Sequence, residues 1–271
     1  MEREFTIVVL LFFCYSLIGW IWETIYCSIK AKKFVYRGFL LGPITPIYGF
    51  GVLGVLYFIA PYQNNELVVF CLAFILVTTL EYITSLLLEK LFHASLWDYK
   101  TVPLNINGRV AVPVSIFWGL CCLVIVEVLN PRLMLLVASW GDRFGIFLPI
   151  GLLMLISFDL GFTLSSVPSF RRGINELNAA IQEKKDQLQQ TVEENKDLSS
   201  QRLSEIKQQV SDRYDWLTEL RQKDEGRRLP RLNLQERRFL SGFPNMQSKE
   251  FTTSIEEIRK LVKELRKDKN D

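Results

Sequence analysis

Four carboxylates of this sequence stand inside long apolar runs: Glu23, Glu81, Glu127 and Asp159. A charged carboxylate is costly inside a membrane unless it is paired, protonated or hydrated, so each one requires an explanation. Glu127 lies near the end of its run, just before Asn130-Pro131, where it can reach lipid headgroups. The other three are candidates for binding a proton or another cation, because carboxylates that share a site repel each other.

Glu23, Glu81 and Asp159 lie at similar distances from the ends of their runs. Each is about six to nine residues from the end that the flanking basic residues predict to be cytoplasmic, which in a helix is on the order of 10 Å. This common depth predicts one polar cluster built from three helices. The alternative, which the sequence leaves open, is that each acid is accommodated separately by snorkelling or by an interhelical hydrogen bond.

The segment Arg37–Gly51, RGFLLGPITPIYGFG, lies between two of the apolar runs. Pro43 and Pro46 interrupt helical hydrogen bonding there, and hydrocarbon cannot satisfy the backbone groups that are left unpaired. Broken backbone persists at membrane depth only where it is buried in protein or lines a cavity. We therefore predict that this segment lines a pocket and that Arg37 contacts what the pocket holds.

The stretch His93–Arg109 is too polar to cross a membrane and too aromatic to be a plain linker. Trp97 and Tyr99 are typical of the membrane interface. Asn107-Gly108 predicts a tight turn with no role beyond folding. A functional interpretation remains equally open, in which four polar side chains converge on an anionic headgroup or a substrate amide: Asp98, Asn105, Asn107 and Arg109.

The apolar runs that carry these residues define the fold. Five of them have the roughly 20 residues needed to cross a bilayer: 6–29, 39–60, 67–90, 110–129 and 144–166. They predict an all-α fold, a polytopic transmembrane helical bundle of about five spans. Leu133–Trp140 is too short to span and is predicted to lie at the interface. The first run is predicted to be a retained anchor, because it ends in lysines without a cleavage site.

Charge divides the chain into two parts. Residues 1–166 contain ten basic and ten acidic residues, whereas residues 167–271 contain 22 and 19. We predict a transmembrane domain, 1–166, followed by a charged helical tail, 167–271. Lys and Arg are concentrated after the first and third runs and at Arg171-Arg172. Because positive residues stay in the cytoplasm, the amino terminus is predicted to lie outside and the tail inside.

The tail is predicted to be helical. Ile174–Lys223 lacks proline and spaces its apolar residues as a helix does, so a long, coiled-coil-like helix is predicted. The heptad slips once, which would interrupt an ideal two-stranded coil, so a stiff stalk, an imperfect coiled coil and a helical hairpin all remain open. A short helix is predicted near Leu234–Leu240, and a last helix from Thr253, where Thr253-x-x-Glu256 is a capping-box pattern. These helices predict binding to a protein partner or to a second copy of the chain, with a membrane-surface helix as the alternative.

The sequence lacks the common signatures of metal and catalytic sites. The five cysteines lie in apolar runs without C-x-x-C spacing, and the only histidine, His93, has no Cys or second His nearby, so the cysteines are predicted to be small buried apolar side chains. There is no G-x-x-x-x-G-K-[ST] phosphate loop and no H-E-x-x-H. We predict no metal, no cofactor and no nucleic-acid partner, and find no recognisable catalytic constellation.

Several motifs occur in order between residues 5 and 130: Gly19-Trp20-x-x-Glu23, Arg37-Gly38-Phe39-x-x-Gly42-Pro43-x-x-Pro46-Ile47-Tyr48-Gly49, Glu81-Tyr82, Trp97-Asp98-Tyr99 and Asn105-x-Asn107-Gly108-Arg109. Together they resemble the bacterial membrane family called putative ABC-transporter type IV, or CmpB-like. The fifth run and the tail lie outside this resemblance. It implies a permease-like, multi-pass protein of the bacterial plasma membrane, and its motif adds Tyr48 to the candidate binding residues.

Three functions are compatible with these features. The first is a permease or transporter subunit with a polar cavity near the cytoplasmic leaflet, which would need a separate ATPase chain or an ion gradient because the chain has no phosphate loop. The second is a membrane scaffold or signalling protein that acts through its tail. The third is an enzyme that handles membrane lipids or envelope precursors, with Arg37 and Arg109 on a phosphate and Asp98 or Glu23 as acid/base.

Overall fold

The computed structural model describes residues 1–59, 62, 64–92, 94–194, 232–243, 246–248 and 255–267. The predicted all-α fold is confirmed, since the strands have only two residues each. The helices are α1 Glu2–Ala31, α2 Pro46–Ile59, α3 Glu66–Phe92, α4 Val112–Val124, α5 Asn130–Phe144, α6 Phe147–Glu194, α7 Leu234–Gly242 and α8 Ile255–Lys267. The strands are β1 Ala94–Ser95, β2 Asn105–Ile106, β3 Val110–Ala111 and β4 Gln247–Ser248.

The membrane character of the helices is confirmed as well. Among the described residues, four helical stretches are long and apolar enough to cross a membrane: Glu2–Ala31, Glu66–Phe92, Val112–Phe144 and Phe147–Gln187. Large apolar side chains point outward from them, including Ile25, Leu155 and Phe158. Lipid tails accept such side chains without penalty, and each helix satisfies its own backbone hydrogen bonds.

The predicted second span, 39–60, differs from the observed helix. Only Pro46–Ile59 is helical, which makes α2 a helix of 14 residues, shorter than a bilayer requires. The backbone before it turns at Gly38, whose φ is 124°, and Pro46 occupies the first helical position, where its missing N–H has no helical partner to lose. Pro43 therefore lies before the helix and Pro46 at its first position, so neither proline kinks it.

The predicted fourth span, 110–129, and the predicted interfacial stretch Leu133–Trp140 belong to one helical run, Val112–Phe144. A π-helical turn, Ile125–Leu129, joins α4 to α5, and the Asn130 N–H donates to the Ile125 carbonyl. Pro131 has no N–H of its own, and the wider turn absorbs this missing donor without ending the helix. Glu127 lies in this π-helical turn.

The tail helix does not begin at Ile174 as predicted. Instead α6 runs from Phe147 to Glu194 with Pro168 inside it. Ile174, Leu177 and Ile181 are fully buried, so their predicted helical spacing does define an apolar face. The remainder of the predicted helix, together with its break at Arg227–Pro230, lies outside the described residues.

The two predicted short helices of the tail are present as α7 and α8. The start of α7 is capped reciprocally: the Asn233 N–H donates to the Glu236 carboxylate at 2.7 Å, and the Glu236 N–H donates to the Asn233 side-chain oxygen at 2.9 Å. This is a capping box that the sequence analysis did not identify. The predicted box at Thr253 lies outside the described residues. Ile255 and Ile258 of α8 are buried.

The short helix α2 lies at the centre of the membrane helices. It packs against α1 and α3, while α1 also packs on α5 and α3 on α4. Its Val55 and Ile59 belong to one buried cluster with α3 and α4, and its Val52 belongs to a second cluster with α1 and α5. Because α2 holds both clusters together, the broken segment that leads into it is fixed at the middle of the bundle.

The chain forms two compact units. One consists of Met1–Ser165 with Ser241–Met246, and the other of Ser166–Leu240 with Gln247–Asp271. The first unit contains every residue that the sequence analysis proposed for a binding site.

Candidate functional site

Glu23 of α1 is the centre of the site. One carboxylate oxygen accepts a hydrogen bond from Arg37 Nε at 3.0 Å, and the other accepts one from the Tyr48 hydroxyl at 2.9 Å. The ion pair is shielded from solvent, with side-chain exposures of 12% for Arg37 and 27% for Glu23. Three residues predicted for one site, from α1, the broken segment and α2, are therefore in direct contact.

Glycines on α1 and α2 allow this contact. A Cβ atom at Gly19 would lie 2.2 Å from the Tyr48 ring, and one at Gly49 would lie 2.4 Å from the Ser16 hydroxyl. Real side chains do not approach this closely, so both positions need glycine for α1 and α2 to pack. Gly19 is one helical turn before Glu23, which places the Tyr48 ring against α1 with its hydroxyl directed at the carboxylate.

Glu81 of α3 joins the same electrostatic cluster. It hydrogen-bonds to the Tyr99 hydroxyl and lies close enough to Glu23 and Tyr48 to interact with them electrostatically. Its Oε2 atom is buried and has no hydrogen-bond partner among the described residues. We define the polar cluster as Glu23, Arg37, Tyr48, Glu81 and Tyr99.

Tyr99 comes from the loop between α3 and α4. Burial raises the pKa of its hydroxyl far above the ordinary value, and the charge and hydrogen bond of Glu81 raise that pKa further. The hydroxyl therefore stays protonated at any physiological pH and acts as the donor to Glu81. Tyr99 was predicted to lie at the membrane interface, and its contact with Glu81 was not predicted from the sequence.

Asp159 of α6 was predicted to share a cluster with Glu23 and Glu81, but its described partners are different. It accepts hydrogen bonds from the backbone N–H groups of Leu41 at 2.8 Å and Gly42 at 2.7 Å, and from the Thr163 hydroxyl at 3.0 Å. The N–H groups of Leu41 and Gly42 lie in the non-helical part of the chain before α2, so a carboxylate from another helix satisfies them. Asp159 fastens the broken segment to α6.

Replacing Asp159 tests this role. We expect Asp159→Ala to destabilise the protein by about 1–3 kcal/mol for each N–H left unpaired. Asp159→Asn should retain only part of the stability, because its NH₂ group faces one of the two donors. The matched control is Asp142→Asn, which alters an exposed pair with Arg3. Thermal unfolding of the purified protein in detergent measures both, and equal effects at the two positions would contradict the assignment.

The loop residues Asp98 and Asn105 bind the backbone of their own loop. Asp98 accepts from the Lys100 N–H at 2.9 Å, and Asn105 bonds to the Lys100 and Val102 carbonyls and to the Gly108 N–H. The predicted Asn107-Gly108 turn is present: both residues have positive φ, 54° and 69°, and β2 pairs antiparallel with β3 across it. These contacts hold the loop rigid and so position Tyr99.

Arg109 and Asn107 face α3. Arg109 forms an ion pair with Glu89 and lies over the Tyr82 ring, 5.7 Å from its centroid. Asn107 donates to the Tyr82 hydroxyl at 3.1 Å. Arg109 is therefore already neutralised by a carboxylate that the sequence analysis did not include, and it is not in contact with Arg37 in any described interaction.

Aromatic side chains border the polar cluster. The Trp118 ring of α4 lies edge-on to Tyr48, with centroids 5.3 Å apart. Trp118 also contacts Phe117 and Trp22, and Trp22 directly precedes Glu23 on α1. Trp118 was not among the predicted site residues, because nothing in its local sequence pattern distinguishes it from a lipid-facing tryptophan. Among the residues described, no group of three or more His, Cys, Asp or Glu side chains could hold a metal ion.

Comparison with known proteins agrees with these motifs. A family model described as Putative ABC-transporter type IV matches residues 10–164, which is more than half of the chain. The match continues past residue 130, where the resemblance in the sequence ended, and it includes Asp159 and residues 147–164 of α6. No curated protein and no solved structure matches the chain. The chain belongs to the family described as Putative ABC-transporter type IV.

Proposed function

We propose that this chain is the membrane component of a transporter and that its polar cluster binds the positively charged group that is moved. The family and the apolar helices support the coarser statement that it is a membrane protein of transporter type. The observation that carries the finer proposal is the charge of the cluster. One guanidinium, Arg37, pairs with the Glu23 carboxylate, while the cluster holds a second carboxylate, Glu81, whose buried Oε2 atom has no hydrogen-bond partner among the described residues.

A net negative charge away from water favours uptake of a cation. A proton or the cationic group of an organic solute would satisfy Glu81 Oε2, and the rings of Tyr48 and Trp118 are the kind of surface that also attracts cations. The broken backbone before α2 supports a role in transport, because irregular backbone at membrane depth commonly lines a solute path.

Energy would come from outside this chain. Its sequence has no G-x-x-x-x-G-K-[ST] phosphate loop, so ATP-driven transport would require a separate ATPase chain. The proposed orientation, with the amino terminus outside and the tail in the cytoplasm, follows from the basic residues after α1 and after α3. It requires that the broken segment and α2 together cross the membrane between these two loops.

The two alternatives have less support. A phosphate-binding enzyme would need Arg37 and Arg109 for its substrate, but each already pairs with a glutamate. For a scaffold acting through the tail, the described tail residues give limited support, because Ile174, Leu177 and Ile258 are buried within the chain itself. An anionic ligand for either arginine would first have to displace a carboxylate.

Vesicles containing the full chain test the proposal. Proton entry driven by a K⁺ diffusion potential would be followed with an internal pH dye, and binding of tetraphenylphosphonium to the purified protein by calorimetry. We expect at least one signal to be present and to fall by roughly tenfold or more in Glu81→Gln, since loss of a binding charge worth ~1.4 kcal/mol changes occupancy tenfold.

Glu127→Gln is the matched control, because Glu127 is an acid of the same membrane part that lies in the π-helical turn. It should leave both signals unchanged. If neither proton entry nor tetraphenylphosphonium binding occurs, or if Glu81→Gln behaves like Glu127→Gln, the polar cluster is not a cation site and the proposal is wrong.

A further inference from the structure

A short stretch of the tail belongs to the membrane unit. Ser241–Met246 clusters with Met1–Ser165 although it is far from that part of the chain in sequence. Gly242, Phe243 and Met246 are buried, and the Met246 N–H donates to the Phe243 carbonyl at 3.0 Å. We call Ser241–Phe243 the latch segment.

The latch segment binds Arg37. The Arg37 Nη1 atom donates to the Gly242 carbonyl at 2.8 Å, and its guanidinium carbon lies 4.6 Å from the centre of the Phe243 ring. Gly242 is the last residue of α7, so its carbonyl has no partner within that helix. A charge-assisted hydrogen bond and a cation–π contact thus act on the same guanidinium.

Arg37 connects the latch segment to the polar cluster. Its Nε atom donates to Glu23 and its Nη1 atom to Gly242, so one planar group is shared between the two. Displacing the segment would leave one edge of the guanidinium unpaired, and the charge balance around Glu23 would change. Arg37 lies within the residues that match the family, whereas the latch segment lies outside them.

The fit at Gly242 is close. A Cβ atom at this position would lie 2.8 Å from the Tyr36 carbonyl oxygen, and backbone cannot move away as a flexible side chain can. Glycine is therefore required at position 242, where the segment contacts Tyr36. This close packing indicates a specific contact.

We propose that the latch segment is a removable inhibitory ligand of Arg37: seated, it occupies the guanidinium and closes the polar cluster on that side, and released, it opens the cluster. The inhibitory part of this statement rests on the proposed transport function. The seating of the segment on Arg37 does not, so the two can be tested separately.

Seating is measured by the rate at which phenylglyoxal modifies Arg37 in the full-length protein, followed by mass spectrometry. We expect Gly242→Val to increase this rate by roughly tenfold, because it displaces a hydrogen bond and a cation–π contact together. Phe243→Ala should give a smaller increase and serves as a milder variant if Gly242→Val folds poorly. Arg109 is the internal reference, since its partners Glu89 and Tyr82 do not involve the segment.

Gating is measured in the vesicle assay with the same variants. We expect Gly242→Val to increase proton entry severalfold, whereas Gly151→Val, at a glycine with no heavy atom within 4 Å of its Cβ position, should not. An unchanged Arg37 rate, or an equal increase at Arg109, would overturn the seating. Faster Arg37 modification with unchanged proton entry would overturn the inhibitory role. If neither the unchanged protein nor any variant carries protons, the proposed transport function is wrong. The Arg37 modification rates then still show whether the segment is seated on Arg37.

Discussion

Replacing Gly19 with alanine is expected to destabilise the membrane unit more than any other single methyl group added to its helices. The new Cβ atom would lie 2.2–2.6 Å from three carbons of Tyr48, so α1 and α2 must separate or the tyrosine must move. Tyr48 is tied to Glu23 by a hydrogen bond and cannot move without losing it. Overpacking costs about 1–3 kcal/mol and the lost hydrogen bond about 1 kcal/mol more.

The measurement is thermal unfolding in detergent, with Gly151→Ala and Gly161→Ala as controls. Both controls lie on α6 at positions where a Cβ meets nothing within 4 Å, and both should be neutral or slightly stabilising because alanine favours the helix. A melting temperature for Gly19→Ala equal to that of the controls would show that α1 and α2 do not pack as described.

Replacing Arg37 with alanine is the second change with a large expected effect. It leaves the Glu23 carboxylate in a shielded site, with the Tyr48 hydroxyl as its one remaining partner among the described residues. Breaking such a pair by removing one member typically costs about 3–5 kcal/mol, because the other charge stays buried. The latch segment also loses its contact with the guanidinium.

A double-mutant cycle separates these contributions. Arg37→Ala combined with Glu23→Gln should recover much of the lost stability, since no buried charge then remains unpaired. The stability of Arg37→Lys should fall between those of the unchanged protein and Arg37→Ala, because lysine keeps the charge but lacks the planar guanidinium that reaches two acceptors. The control is Arg3→Ala, whose pair with Asp142 is more than half exposed and should be worth less than about 1 kcal/mol. Additive effects of Arg37→Ala and Glu23→Gln would mean that the pair does not stabilise the fold.

Several features of this protein could be predicted from short stretches of sequence. The apolar runs predicted the membrane helices, because helix formation in lipid depends on local composition over about 20 residues. Asn107-Gly108 predicted a turn because few residues tolerate positive φ at two successive positions. Pro43 and Pro46 predicted broken backbone, although the helix begins after the break and not across it.

Other features could not be predicted from the sequence, because they depend on how the helices pack. Asn130-Pro131 appeared to end a span, yet the π-helical turn before it carries the helix onward, a solution that depends on the packing of α4 and α5. Asp159 matched Glu23 and Glu81 in depth but bonds to Leu41 and Gly42. Depth along a helix does not determine the direction in which a side chain points, so it could not distinguish a shared cluster from a backbone clamp.

Composition and motifs alone are enough to predict a helical membrane protein with acids inside its spans, a broken segment before α2 and the motifs of its family. The partner of each polar group depends on how the helices pack: Arg37 and Tyr48 for Glu23, Tyr99 for Glu81, backbone for Asp159, and the latch segment for Arg37. Hydropathy and turn signals are local properties of the chain. Hydrogen bonds between residues far apart in sequence form only when helix packing brings their donors and acceptors within about 3 Å.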